Sequence, residues 1–323
     1  MGIDIINPAY NSKDTLLNTL TSIVTQKDLE KINIQVTIVN DCSDYSYSSL
    51  VDYFSPYINI QELVIDKNVG PWEARNLGIK STKNEYIIFI DSDDCFYGTN
   101  SIKTLYDEIN SNNYDLIISD FICNRNGIKE IKKHDIIWLH GKIYRRSFLE
   151  KNNIYFNKSR ANEDNGFNQL VLLMKPNKKF ISTITYIYQD NSNSITQKNN
   201  RLYELTGLEG FAYNINWAIE EGLKRNCDKN DIVLLAMKSL ISMYYNYIEL
   251  YDKYDVSPII KWSKPILDTY NKFPDLAITQ DEINIFIKLK EQSYLKHNIK
   301  LNKKNYFYWI SIKDKWIKIR EIN

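Results

Sequence analysis

Up to about residue 200, short β-branched and apolar runs alternate with stretches whose apolar positions recur every three or four residues. Ile3–Asn7, Ile34–Asn40, Ile60–Ile65 and Tyr86–Ile90 have the length and residue types of buried strands. Between them, Lys13–Gln26 carries Leu16, Leu17, Leu20, Ile23 and Val24 at helical spacing. Tyr47–Phe54 reads as a short helix, and a third helix runs from Trp72 to about Ser81. A helix over Ser101–Ser111 and a strand over Leu116–Ser119 follow. After the apolar run Ile136–Leu139 come helical segments at Arg146–Lys151 and Asp164–Met174, then an alternating run from Lys179 to Gln189. Strands alternating with helices imply βαβ units, right-handed crossovers and a mainly parallel sheet with helices on both faces: an α/β, Rossmann-like fold.

The pattern changes near residue 200. Leu202–Leu223, Ile232–Tyr251, Ile259–Tyr270 and Glu282–Leu295 read as helices, with Pro258, Pro265 and Pro274 as breaks or first-turn residues. The expected organisation is an α/β domain over 1–199 and a helical domain over 200–323. The helical part carries aromatic stripes (Trp217, Met243–Tyr245, Tyr247, Tyr251, Trp262), for which a core role is the simpler reading than stacking on an acceptor or a partner.

Composition narrows the function classes. Forty-three per cent hydrophobic and 25% charged residues supply a core and exclude wholesale disorder. With 41 basic and 40 acidic side chains the net charge is +1, which disfavours general nucleic-acid binding without excluding a local patch. Cys42, Cys95, Cys123 and Cys227 are scattered and three His complete no zinc pattern, so reduced thiols in a cytoplasmic protein are expected. Met1–Tyr10 lacks a basic stretch followed by a long apolar run, and no segment has the ~18 apolar residues of a spanning helix, so any membrane contact is expected to be peripheral. The basic, aromatic tail from Lys288 is the candidate for it, or for a nucleic-acid contact; a solvated helix face is the plainer alternative. The 24 Tyr match the bias of an AT-rich coding sequence.

The chemistry lies at the strand ends. Ligands of parallel α/β sheets bind beyond the carboxyl ends of the strands. Here those ends carry Asn7–Asn11, Asn40–Asp44, Asp66–Gly70 and Asp91–Asp94. Asp91-Ser92-Asp93-Asp94 sets three carboxylates after an apolar strand; such a group repels itself unless a cation neutralises it, and all-oxygen ligands suit Mg²⁺ or Mn²⁺ with positions left for phosphate. A solvated acidic turn is the alternative. Asp41 can accept from a nucleotide's imide N–H or ribose hydroxyl, or serve an Asx turn. Pro8, Tyr10 and Asn11 offer a rigid turn and a ring to stack on a base. Gly70 opens a helix that carries Arg75 near its start, a phosphate or ribose contact. Neither G-x-G-x-x-G nor a P-loop is present.

In chain order these segments, with Lys142–Arg146, Glu163-Asp164 and Asn193–Thr196, resemble glycosyltransferase family 2 over residues 3–197. The resemblance implies a GT-A fold and inverting transfer from a nucleotide-diphosphate sugar. Tyr10 and Asp41 would hold the base. Pro8, Asn11, Gly70, Arg75, Asp91, Ser92 and Asp93 would complete the donor site, and Asp91 and Asp93 would ligate Mn²⁺ or Mg²⁺, with Asp93 the chief ligand. Asp164 would be the general base for the acceptor hydroxyl; its alternative is a charge complementing a helix N-terminus. A UDP-sugar is the favoured donor and a bacterial surface glycan the favoured acceptor. Modified DNA bases, protein side chains, or sugar-nucleotide binding without turnover are the rival readings. The sequence departs from the family pattern at Cys42, where Gly is usual, at Pro71-Trp72-Glu73, bulkier than usual, and at His140, where Asn is more typical.

Overall fold

A computed structural model describes residues 2–125, 127–159, 161–189, 191, 201–250, 255, 257–273, 275, 276, 285 and 288. The chain divides into two compact units, at Tyr203 and Glu204.

The first unit is built on a nine-stranded sheet. β1 (Gly2–Ala9), β2 (Asn33–Asn40), β3 (Asn59–Val64) and β4 (Tyr86–Phe89) form a parallel block in the order β3-β2-β1-β4. Their crossovers are α1 (Lys13–Val24), α2 (Ser48–Phe54) and α3 (Pro71–Ser81). β1 is central, and Ile3, Ile5, Ile6 and Ala9 are buried on its two faces. At Gly78 an added Cβ would lie 2.4 Å from Ile6 Cγ2, so α3 runs close over β1, and Arg75, one turn earlier, reaches the carboxyl end of the sheet.

The second half of the sheet is mixed. β5 (Cys95–Phe96), α4 (Ser101–Ser111), β6 (Leu116–Arg125), β7 (Ile128–Lys132), β8 (Lys142–Arg145), α5 (Arg146–Lys151), α6 (Glu163–Leu173) and β9 (Lys178–Tyr188) follow in order. β8 inserts antiparallel between β4 and β6, β9 lies parallel to β6, β5 pairs antiparallel with β9, and β7 folds back on β6 as a hairpin. The sheet is mainly parallel, as expected, with the antiparallel pairings confined to its second half. Leu116–Ser119 opens a ten-residue strand, and Ile136–Leu139 is a bent connection.

Pro8 lies inside β1, not in the turn expected after it. In a parallel strand alternate residues bond opposite neighbours, and Ile6 O accepts Ile90 N–H while Ala9 O accepts Asp41 N–H. Pro8 therefore faces the β4 side, where the ladder has already ended at Ile6–Phe89, and its missing N–H costs no bond.

The second unit contains α7 (Arg201–Lys224), α8 (Lys229–Leu250) and α9 (Ser257–Asn271). Met243, Tyr244, Tyr245 and Tyr247 are buried in it, so this stripe is core. No described helix is long and apolar enough to cross a membrane. Tyr251, Asn193–Thr196 and nearly all of the basic tail lie outside the described residues.

Candidate active site

The end of β2 is a buried clamp. Asp41 is 4% exposed; its Oδ1 accepts Val69 N–H at 2.7 Å and its Oδ2 accepts Gly70 N–H at 2.8 Å. Burial pushes this carboxyl up, against the two N–H donors. Gly70 has φ +89°, open to glycine without strain, and starts α3 with Pro71 at its first position. Cys42 adopts φ +62°, so the left-handed turn that explains a Gly at this position is kept by a residue that is strained in it. Asn11 ties the ends of β1 and β2 together: its Nδ2 donates to Asp44 Oδ2 at 3.0 Å and its Oδ1 accepts Asp44 N–H at 2.9 Å. Tyr10 beside it is 53% exposed, with its ring free to stack.

Arg75 is 5% exposed and faces inward. Nη2 donates to Asp91 Oδ1 and Nη1 to Glu163 Oε1, each at 2.7 Å, and the guanidinium lies 5.5 Å from the Phe156 ring centroid. One cation thus bridges the β4–β5 loop and the first turn of α6. Burial would raise the Asp91 carboxyl, but Arg75 outweighs it and holds Asp91 well below the usual carboxylate range.

The three carboxylates of the loop face different ways. Asp91 is half-buried; Asp93, also half-buried, accepts Asn191 Nδ2 at 2.9 Å and is pushed up by burial and by Asp91. Asp94 is fully buried, with Oδ2 accepting the Tyr186 hydroxyl at 2.6 Å and Oδ1 accepting Gln189 N–H at 2.8 Å. His140, 7% exposed, stacks on Tyr186 with centroids 4.7 Å apart, and its Nε2 lies 3.8 Å from Asp91 Oδ2 and 3.6 Å from Asp94 Oδ2. Burial lowers its pKa, so the imidazole is neutral at neutral pH, and among the described residues its Nδ1 has no hydrogen-bond partner.

Among the described residues, Asp91, Asp94 and His140 bring potential metal-ligand atoms within 4.8 Å of one another, a grouping that contains Asp91 but not Asp93. The two oxygens of Asp94 are already engaged inside the protein, whereas Asp91 and Asp93 retain access to solvent. A hard cation shared with a diphosphate fits oxygens on the open side of the loop, and Asp94 and His140 fit a backing layer that orients Asp91.

Asp164 is half-buried in the first turn of α6, next to Glu163. Its Oδ1 accepts Asn165 N–H at 2.8 Å. Burial, with the charge of Glu163, pushes its carboxyl up to about 7, against Arg75. The Lys142–Arg146 motif faces inward. Lys142 is 1% exposed and donates to Trp138 O, and burial lowers its ammonium to about 8. Tyr144 donates to Asn168 Oδ1 at 2.8 Å, and Arg146 pairs with Asp4 at 2.7 Å.

The structure thus gathers Asp91, Arg75 and Asp164 around one network, with Asp41 and Gly70 bonded to each other on the same rim. Sequence reasoning missed Asp94, Glu163 and Tyr186 as partners in the site. Glu163 was visible beside Asp164, but nothing in the spacing marks Tyr186.

The sequence pattern described as "Glycosyl transferase family 2" matches residues 4–165. The chain belongs to this family, and its fold is GT-A. It is 27% identical over 204 residues to the poly(ribitol-phosphate) beta-N-acetylglucosaminyltransferase TarS of Staphylococcus aureus, covering 58% of this chain and 35% of that protein. It is 32% identical over 174 residues to the poly(ribitol-phosphate) beta-glucosyltransferase of Bacillus spizizenii, covering 48% of this chain and 27% of that protein. The chain thus spans about a third or less of the length of these relatives. With the minor teichoic acid biosynthesis protein GgaA of Bacillus subtilis it shares 24% identity over 92% of this chain and 73% of that one. Among solved structures, S. aureus TarS 1–349 in complex with UDP-GlcNAc superposes with a TM-score of 0.70 at 20% identity, covering 92% of each chain. The mannosyltransferase PcManGT of Pyrobaculum calidifontis, with GDP-Man and Mn²⁺, superposes at 0.56 and 11% identity, covering 99% of this chain and 86% of that one.

Proposed function

We propose that the protein transfers a sugar from a UDP-sugar, with inversion, to a hydroxyl of a bacterial surface glycan. The observation that carries the reading is the Arg75 bridge, which links a carboxylate suited to a cation on the donor's diphosphate, Asp91, to the turn that carries a carboxyl suited to the acceptor, Asp164.

In this reading Tyr10 stacks on the base, and Asp41, beyond its bonds to Val69 and Gly70, retains lone pairs for a base N–H. Pro8, Asn11 and Gly70 shape that pocket, and Ser92 lies between the two carboxylates that would ligate Mn²⁺ or Mg²⁺, Asp91 and Asp93. A divalent cation bound there supplies positive charge to the leaving diphosphate. Arg75 acts through Asp91 and Glu163 by fixing their positions, not as the phosphate contact expected from its place in the sequence. Asp164 removes the acceptor proton as the hydroxyl oxygen attacks the anomeric carbon, from the side opposite the departing UDP. A carboxyl poised near neutrality suits that task, being ionised in a large fraction of molecules yet basic enough to take a proton. The names of TarS and the B. spizizenii enzyme favour a polyol-phosphate polymer among surface glycans, and so weigh against DNA or protein acceptors.

The deciding experiment is a donor screen that follows release of UDP, GDP and TDP with and without Mn²⁺. Metal-dependent release from a UDP-sugar, abolished in Asp93→Ala, is expected. Release that ignores both the cation and Asp93 would remove the metal from the reading, and UDP binding without transfer to any acceptor would leave a sugar-nucleotide-binding protein.

A further inference from the structure

Beside the site stands a wall of rings that the donor chemistry leaves unused. Trp138 and Tyr188 are half-buried with centroids 5.9 Å apart, and His140 lies 5.3 Å from Trp138 and 5.4 Å from Tyr188. Over the two outer rings lies the exposed Arg125, its guanidinium carbon 5.4 Å from the Trp138 centroid and 5.3 Å from that of Tyr188. Among the described residues Arg125 has no carboxylate within ion-pair distance. Its charge thus lies against the two rings.

The wall is tied to both halves of the candidate centre. On the donor side, His140 Nε2 is 3.8 Å from Asp91 Oδ2, and Asn124, next to Arg125, donates to Gln189, whose own N–H donates to Asp94. On the acceptor side, Asn168 Nδ2 donates to Ile137 O at 2.8 Å and to Trp138 O at 3.2 Å. Asn168 is one helical turn along α6 from Asp164, so the strip that carries Trp138 is anchored on the helix that carries the proposed base. In the β6–β7 hairpin, Arg125, Glu130 and Lys132 share one face, where Lys132 is paired with Glu130 at 2.7 Å.

We propose that Arg125, Trp138 and Tyr188 form an acceptor subsite that takes a phosphodiester-linked polyol. The fork of Arg125 would grip one phosphate, and the ring edges would pack against the carbon backbone of the adjoining polyol. A guanidinium held against rings can make two parallel, charge-assisted bonds to phosphate oxygens, which are stronger than its bonds to the hydroxyls of a neutral glycan. The inference rests on the glycosyltransferase reading above and names the residues that would hold its acceptor.

The test uses the full chain and a short synthetic ribitol-phosphate oligomer, with a phosphate-free polyol of equal length as control. Equilibrium binding of the oligomer in the presence of UDP is measured alongside KM in the transfer assay. Loss of one charge-assisted contact in Arg125→Ala should weaken oligomer binding and raise its KM about tenfold, with UDP affinity kept. Arg125→Lys should recover only part of the loss, since it restores charge but not the fork. Equal binding of oligomer and control by the wild-type chain, or an Arg125→Ala variant with unchanged oligomer binding, would overturn the subsite. A parallel loss of UDP affinity would assign Arg125 to the donor instead and overturn it too. Failure of the wild-type chain to bind UDP at all would sink the glycosyltransferase reading, whereas intact UDP binding with no oligomer binding would sink only the subsite.

Discussion

Asp164 combines a proposed role with a measurable liability. A carboxyl raised from 3.8 to about 7 by burial and by Glu163 is held in its protonated form more firmly by the folded chain than by the unfolded one. Its contribution to stability is therefore full below about pH 4 and is lost as the pH rises through about 7. Asn cannot ionise, so Asp164→Asn should be the more stable protein above pH 7. The expected gain, discounted because the side chain is only half-buried, is ~1–2 kcal/mol, shrinking to nothing near pH 4. Transfer should move the other way: kcat of the wild-type enzyme should climb through the same range as the base ionises, and the variant should lose it by ~100-fold or more. Denaturant melts at three pH values and a pH–rate profile check the pair. A variant that is no more stable at pH 8 would show that Asp164 is not strained by ionisation, and full transfer by it would remove Asp164 as base.

At the scale of elements, one ion pair fixes the floor of the catalytic unit. Arg146, at the start of α5, donates to Asp4 on β1, to Thr82 and Ile79 at the end of α3, and to Asn84 before β4. Asp4 is 1% exposed and Arg146 7%, so removing one partner leaves a buried charge unanswered. Arg146→Ala is expected to cost ~3–5 kcal/mol, measured by urea unfolding, while the exposed i,i+4 pair Lys103–Asp107 should cost less than ~1 kcal/mol when broken. Comparable losses from the two would contradict the structural role given to Arg146. This anchoring was not legible in the sequence, where Lys142–Arg146 read only as one segment of the family resemblance. The long crossover elements were legible, because β-branched runs such as Ile34–Asn40 and the Leu16–Leu20–Ile23 stripe carry their period in plain view. β7 and β8 were not: Ile-Lys-Glu-Ile-Lys and Lys-Ile-Tyr-Arg are short and charged, and become strands only because β6 and β4 offer open edges. In the site, the three Asp of the β4–β5 loop were legible as a group. Which of them turns inward depends on Tyr186 and Gln189, about 90 residues further on, and spacing along a loop carries no such information.

At the scale of the molecule, the boundary between Tyr203 and Glu204 separates a sheet core from a helical one. The sheet core is a single cluster running from Ile3 to Tyr186, and the helical unit buries its own Ile215, Ile219, Ile232, Val233 and Met243. Units with separate cores need not unfold together, and every donor-binding residue proposed above belongs to the first. Calorimetry of the full chain should therefore resolve two transitions, only one of which responds to UDP with Mn²⁺. At a UDP concentration a hundred times its Kd the bound unit gains ~2.7 kcal/mol, which for a unit of this size raises its midpoint by ~5–10 °C. Arg146→Ala identifies that transition independently, since it should lower the same midpoint and leave the other in place. If the two transitions merged, the two units would unfold as one, and if UDP and Arg146→Ala moved different ones, the donor site and the sheet core would not share a folding unit.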